Sequence, residues 1–115
     1  MHELSIALGL IESVSETAAR EGAERVTAVH LRLGALSGIV RDALEFSWEL
    51  ASAGTVAAGS ELRIEEIPLT VYCQACLSER SPLPGHGLVC PQCGAVAATI
   101  VHGRELELVA MEIDS

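Results

Sequence analysis

Two sets of residues in this chain can do chemistry. The first is four cysteines, the only ones present, arranged as Cys73/Cys76 and Cys90/Cys93 with thirteen residues between the pairs. In a Cys-x-x-Cys knuckle the turn aims backbone N–H groups at the first sulfur. A glycine just after the second cysteine, as at Gly94, relieves the strain of that turn. Two facing knuckles present four sulfurs tetrahedrally, which suits zinc at about 2.3 Å and leaves no position open for water. A structural site is therefore expected. Tetrahedral sulfur also accepts iron. A redox dithiol is a third reading, but it needs a Cys-x-x-Cys at a helix N-terminus, and the turn-rich flanks do not suggest one.

The second set is Met1, His2 and Glu3. A histidine at position two offers three nitrogens in one chelate: the amine of Met1, its own amide and its imidazole. The amide of Glu3 or a carboxylate can add a fourth donor. Such nitrogen-rich, tetragonal sets favour Ni(II) or Cu(II) over zinc. The plainer alternative is a solvated histidine before a helix, with Glu3 as favourable charge at the helix N-terminus. His30 sits on the polar face of a strand. His86 and His102 flank the cysteine pairs, either as surface residues or as groups that tune the site near neutral pH. No nucleophile–base set is recognisable, since Ser5, Ser13, Ser15 and the histidines fall at no catalytic spacing. A locked site and an open site without a catalytic pocket point to metal carriage.

Composition narrows the class. The chain has 115 residues, half of them hydrophobic, and only Phe46, Trp48 and Tyr72 are aromatic, so its core must be aliphatic. The formal net charge is -9, which repels phosphate backbones and argues against nucleic acid. No apolar run approaches the roughly 20 residues of a membrane span. The N-terminal stretch lacks the basic and apolar blocks of a secretory signal, so the cytoplasm is the expected location. There, paired cysteines more often hold metal than form disulfides.

The elements that must position these residues follow from periodicity. Leu4, Ala7, Leu8, Ile11, Val14 and Ala18 repeat at helical spacing over residues 4–21, with Gly22 as the expected C-terminal cap. Ile6 and Leu10 lie off that stripe, as partner surface or as core. Residues 26–33 alternate as a half-buried strand, with Val29, Leu31 and Leu33 opposite Ala28, His30 and Arg32. Residues 34–40 form a connection. A second helix is expected over 43–53, with Asp42 near its start and Gly54 at its end, and a second strand over 61–67, broken by Pro68. Residues 68–103 hold all four cysteines, all four prolines and four of the ten glycines, so metal rather than apolar packing should hold them together. Strand character returns at 105–113. There the apolar phase switches after Leu108, at Val109, Met111 and Ile113, suggesting a bulge. The metal module thus sits between two strands of one sheet.

These landmarks in order resemble the HypA/HybF family of hydrogenase maturation factors. They are Met1-His2-Glu3 leading into a helix, Arg25-Val26-Thr27 opening a strand that ends Leu33-Gly34-Ala35-Leu36-Ser37-Gly38, Leu44-Glu45-Phe46, both cysteine pairs, and a closing strand. The resemblance runs from residue 1 to about residue 113. It implies an α+β fold, two helices packed on a three-stranded sheet, with an inserted zinc-ribbon-like four-cysteine module. The expected domains are residues 1–67 with 104–115, binding nickel, and residues 68–103, binding zinc. The resemblance further implies a nickel metallochaperone, not an enzyme. It would carry Ni(II) as transient cargo to the large subunit of [NiFe]-hydrogenase, with a HypB-type GTPase as partner and urease as a further recipient. The family nickel ligand carries over to His2, with Glu3 beside it, and the zinc ligands to Cys73, Cys76, Cys90 and Cys93. Family members often place an acidic residue soon after the Ser-Gly pair. Here that place reads Ile39-Val40, and Asp42 is the nearest carboxylate. A monomer or weak homodimer is expected, without membrane or nucleic-acid partners. The alternative is an adaptor whose zinc clip only presents a surface.

Overall fold

The computed structural model describes residues 2–114. Its elements run α1 (Glu3–Arg20), β1 (Arg25–Gly34), α2 (Arg41–Ser52), β2 (Glu61–Ile67), β3 (Thr70–Cys73), β4 (Ser78–Arg80), β5 (Thr99–His102) and β6 (Leu106–Asp114). They form two three-stranded sheets, ordered β2-β1-β6 and β4-β3-β5. The fold is α+β, with two helices as the sequence implied. Two compact units result: Met1–Arg32 with Gly38–Glu65 and Glu107–Ser115, and Leu33–Ser37 with Glu66–Leu106. No described helix is long and apolar enough to cross a membrane.

In the first unit both helices contribute to one core, aliphatic as expected except for Trp48, its largest buried side chain. Ile6, Ala7, Ile11, Val14 and Ala18 on α1 meet Leu44, Trp48 and Ala51 on α2 and Val26, Val29 and Leu31 on β1. The buried stripe of α1 is rotated from the one the periodicity suggested. Ile6 is core and Leu10 packs against it, whereas Leu4 and Leu8 are exposed. The helix ends in a left-handed cap. Gly22 has φ +67, its N–H donates to the Ala19 carbonyl, and the Ala23 N–H donates to the Ala18 carbonyl. All three strands of this sheet reach the core, β2 through Leu62 and Ile64, and two of them depart from strict alternation. Val26 and Val29 share the core although three residues apart, as do Leu108 and Met111. Residues three apart on a regular strand lie on opposite faces, so the burial along β1 and β6 does not follow simple alternation.

In the second unit β3 is the central strand. It pairs antiparallel with β4 (Val71 with Arg80, Cys73 with Ser78) and with β5 (Val71 with Ile100). Its buried cluster is small: Val71, Cys73, Cys90 and Ala97, flanked by Leu69, Cys76, Leu88 and Ile100. The segment Leu33–Ser37 belongs here because its backbone is spoken for. The Gly34 N–H donates to the Glu105 carbonyl at 2.8 Å, Ala35 to Ile67 at 2.9 Å and Leu36 to Gly103 at 2.6 Å. Position 34 admits only glycine, since a Cβ there would fall onto the Gly103 carbonyl.

Candidate metal centre

Each cysteine pair is aimed by a tight turn. Cys73 closes β3, and the Cys76 N–H donates to the Cys73 sulfur at 3.4 Å. The turn leaves the knuckle at Leu77, a non-glycine residue with φ +56. In the second knuckle the Gly94 N–H donates to the Cys90 carbonyl and the Cys90 N–H to the Ala95 carbonyl, both at 2.9 Å. Gly94 itself has φ +77, the left-handed conformation its lack of a Cβ makes easy.

The two turns bring the four sulfurs within 4.8 Å of one another. Cys73 Sγ lies 3.6 Å from Cys93 Sγ, and Cys76 Sγ lies 3.9 Å from Cys90 Sγ. An ion bonded tetrahedrally to four sulfurs at about 2.3 Å would hold them roughly 3.8 Å apart. The donors therefore fit one tetrahedral ion, and all four thiols are free rather than disulfide-bonded. Cys73 and Cys90 are buried, Cys76 half-buried and Cys93 exposed. In the thiol form the sulfurs are unequal. Backbone N–H groups of Cys93 and Gln92 lower the Cys90 thiol to about 6. The Cys76 thiol, crowded by the sulfurs of Cys93 and Cys73, is pushed up to about 12. The turn around Cys90 thus favours its thiolate, while the neighbouring sulfurs disfavour a second negative charge at Cys76.

Among the described residues no other group of three or more side-chain donors could hold an ion. His86 and His102 lie outside the sulfur cluster. His102 Nδ1 is 3.1 Å from Glu105 Oε2, whose partner oxygen accepts the Gly103 N–H. His30 is paired rather than merely exposed, with its Nε2 2.8 Å from Glu112 Oε2 and Arg63 holding the same carboxylate.

Met1 lies outside the described residues. His2 is exposed at the head of α1, extended at φ -77 and ψ 134, and no side chain caps the helix. The first ladder bond runs from the Ile6 N–H to the His2 carbonyl. The amides before Ile6 therefore have no acceptor within the helix. Glu3 does something the sequence did not announce. Its carboxylate accepts the Val40 N–H at 3.1 Å, and Val40 is the residue that opens α2. That bond holds the Glu3 carboxyl below its ordinary range. Asp42 is exposed in the first turn of α2. Only a pairing across 37 residues reveals the Glu3 contact, and no local pattern signals it.

Comparison with known proteins adds to this geometry. The family described as "Hydrogenase/urease nickel incorporation, metallochaperone, hypA" matches residues 1–113. The chain is 54% identical over 114 residues to the hydrogenase maturation factor HypA of Roseiflexus sp. strain RS-1, covering 99% of this chain and 93% of that one. It is 51% identical over 112 residues to the protein of the same name from Chloroflexus aurantiacus, covering 97% and 98%. Two solved structures share the fold. One is the solution structure of the Ni metallochaperone HypA from Helicobacter pylori (TM-score 0.68, 22% identity, 100% and 99% covered). The other is a solution structure of HypA protein (TM-score 0.72, 24% identity, 98% and 96% covered).

Proposed function

The chain belongs to the HypA family of nickel-incorporation metallochaperones, and from that premise we propose that it binds Ni(II) through Met1, His2 and Glu3 and delivers it to the large subunit of [NiFe]-hydrogenase. The observation that carries this reading is the exposed His2 at a helix start whose first amides have no acceptor within the helix. Amides outside the helical ladder can give up their protons to a metal without breaking a helical hydrogen bond. The Glu3 carboxylate is engaged by Val40, so Glu3 contributes its backbone nitrogen, and its side chain ties the N-terminus to the start of α2. Asp42 is not needed for a four-nitrogen set.

Release follows from the same chemistry. The amine and imidazole must be neutral and the amides deprotonated, so nickel loading weakens as pH falls through the histidine range. His2 is exposed, and chelating nitrogens can be displaced one at a time by the acceptor. A HypB-type GTPase is the expected partner and the cytoplasm the site of action, and whether urease is served as well, as in some organisms, is decided by assaying urease activation beside hydrogenase.

Cys73, Cys76, Cys90 and Cys93 would hold zinc as a structural cofactor. Closed thiolate coordination supplies cross-linking rather than reactivity. The knuckle turns orient the sulfurs, and the sheet of β3, β4 and β5 supports them.

Calorimetric titration of Ni(II) into zinc-loaded chain with a native N-terminus, beside His2→Ala, tests the reading. A loss of about tenfold or more in nickel affinity for His2→Ala is expected, since second-sphere changes alone cost that much. Equal binding by both chains would make the protein a zinc-clipped adaptor instead.

A further inference from the structure

Helix α2 buries Leu44, Trp48 and Ala51 but leaves two large apolar residues on its outer face. Ser47 and Ser52 are buried on its core side, while Phe46 and Leu50, each 58% exposed, stand one turn apart facing solvent. Phe46 is the chain's only phenylalanine. Beside it runs an open groove of about 440 Å³, walled by Phe46, Trp48 and Leu62 and rimmed by Glu45, Glu49 and Glu61. Two of these carboxylates are answered within the chain. Arg41 pairs with Glu45 at 3.3 Å, and Arg63 pairs with Glu61 at 3.1 Å. Among the described residues, Glu49 and the exposed Asp42 one turn ahead of Glu45 have no ion pair.

Apolar contact area bordered by uncompensated negative charge is complementary to aliphatic side chains interleaved with cations. We propose that this face docks a basic amphipathic segment of a partner protein, with aliphatic side chains in the groove and lysine or arginine opposite Asp42 and Glu49. A second copy of the chain would bring the same acidic face and be repelled, as would an anionic membrane. The proposal does not rest on the nickel site.

The test titrates a synthetic peptide, with leucines at helical spacing and lysines between them, into the zinc-loaded full chain. Its glutamate-for-lysine counterpart is the control. Amide shifts are read by NMR, and Trp48 fluorescence gives the affinity. The expected result is shifts confined to α2 and the start of β2, no binding of the glutamate peptide, and affinity that falls with added salt. Phe46→Ser and Glu49→Lys should each weaken binding about tenfold. Both side chains are exposed, so the fold should survive, and nickel affinity should be unchanged. Shifts spread over other acidic surfaces, or equal binding by Phe46→Ser, would overturn the proposal. So would concentration-dependent shifts at Phe46 and Leu50 without peptide, which would make the occupant a second copy.

Discussion

The first unit buries twelve residues in one cluster, aliphatic except for Trp48, whereas the second buries four, two of which are Cys73 and Cys90. The first can be held by the removal of apolar surface from water. The second has too little surface of that kind, and its glycines and prolines give it many conformations to lose on folding. Small modules with this deficit draw folding energy from a bound ion. The lesson is that one chain of ordinary length can be stable for two unrelated reasons, and each can be removed separately.

Removing the metal is the sharpest way to separate them. A strong chelator should abolish amide protection in β3, β4 and β5 while leaving α1 protected, and Cys90→Ser should do the same. The energy at stake is on the order of 10 kcal/mol. Hydrogen exchange followed by NMR reads it. Uniform loss of protection in both units would break the comparison.

Next in size is the converse experiment. Leu44→Ala opens a cavity in the first core and should cost about 2–5 kcal/mol. Cobalt substituted at the four cysteines should keep its thiolate spectrum throughout. A changed spectrum would show that the two sources of stability are coupled.

Smaller effects compare the two knuckles. Gly94→Ala places a Cβ at φ +77 and should destabilise the zinc-loaded module by about 1 kcal/mol. Leu77→Gly relieves the same conformation at φ +56 and removes a side chain that is 75% exposed, so it should stabilise by up to about 1 kcal/mol. Thermal unfolding of the zinc-loaded chains decides both signs.

The smallest effect belongs to acid. Glu112 is held below its ordinary 4.5 by its hydrogen bond to His30 and by the charge of Arg63. A carboxylate lowered on folding contributes stability that is fully present above its ordinary range and is lost as pH falls through the lower, folded value. A carboxyl NMR titration should therefore place Glu112 below 4.5. Exposure makes the associated stability change small. Titration at or above 4.5 would show that the three side chains do not act together.

Much of this was legible in order along the chain. The cysteine spacing specified a site that two turns then built, because ligand geometry is encoded locally. Both helices and the three strands of the first sheet fell within a few residues of their expected places, with α2 beginning at Arg41 rather than residue 43, whereas β3, β4 and β5 were hidden in a segment whose turn residues mask strand periodicity. The orientation of α1 was less legible. Leu4, Ile6, Leu8 and Leu10 put apolar residues on several faces near its start, so periodicity could not choose between them. The long-range pairs were invisible. Nothing near Glu3 names Val40, and nothing near Gly34 names Gly103, the neighbour that forbids a side chain there. These contacts depend on where a distant segment returns, which no local window contains.

The uneven exposure of the four sulfurs has a consequence in time. Cys93 faces solvent, Cys76 is partly covered, and Cys73 and Cys90 are enclosed. A competing chelator or an oxidant therefore reaches Cys93 before the others. Exchange of the bound ion should begin with that one bond opening and pause with three sulfurs still attached, recapturing far more often than it escapes. An alkylating reagent applied in brief pulses should mark Cys93 long before its neighbours, and the delay between the first and second labels would be the residence clock of the site.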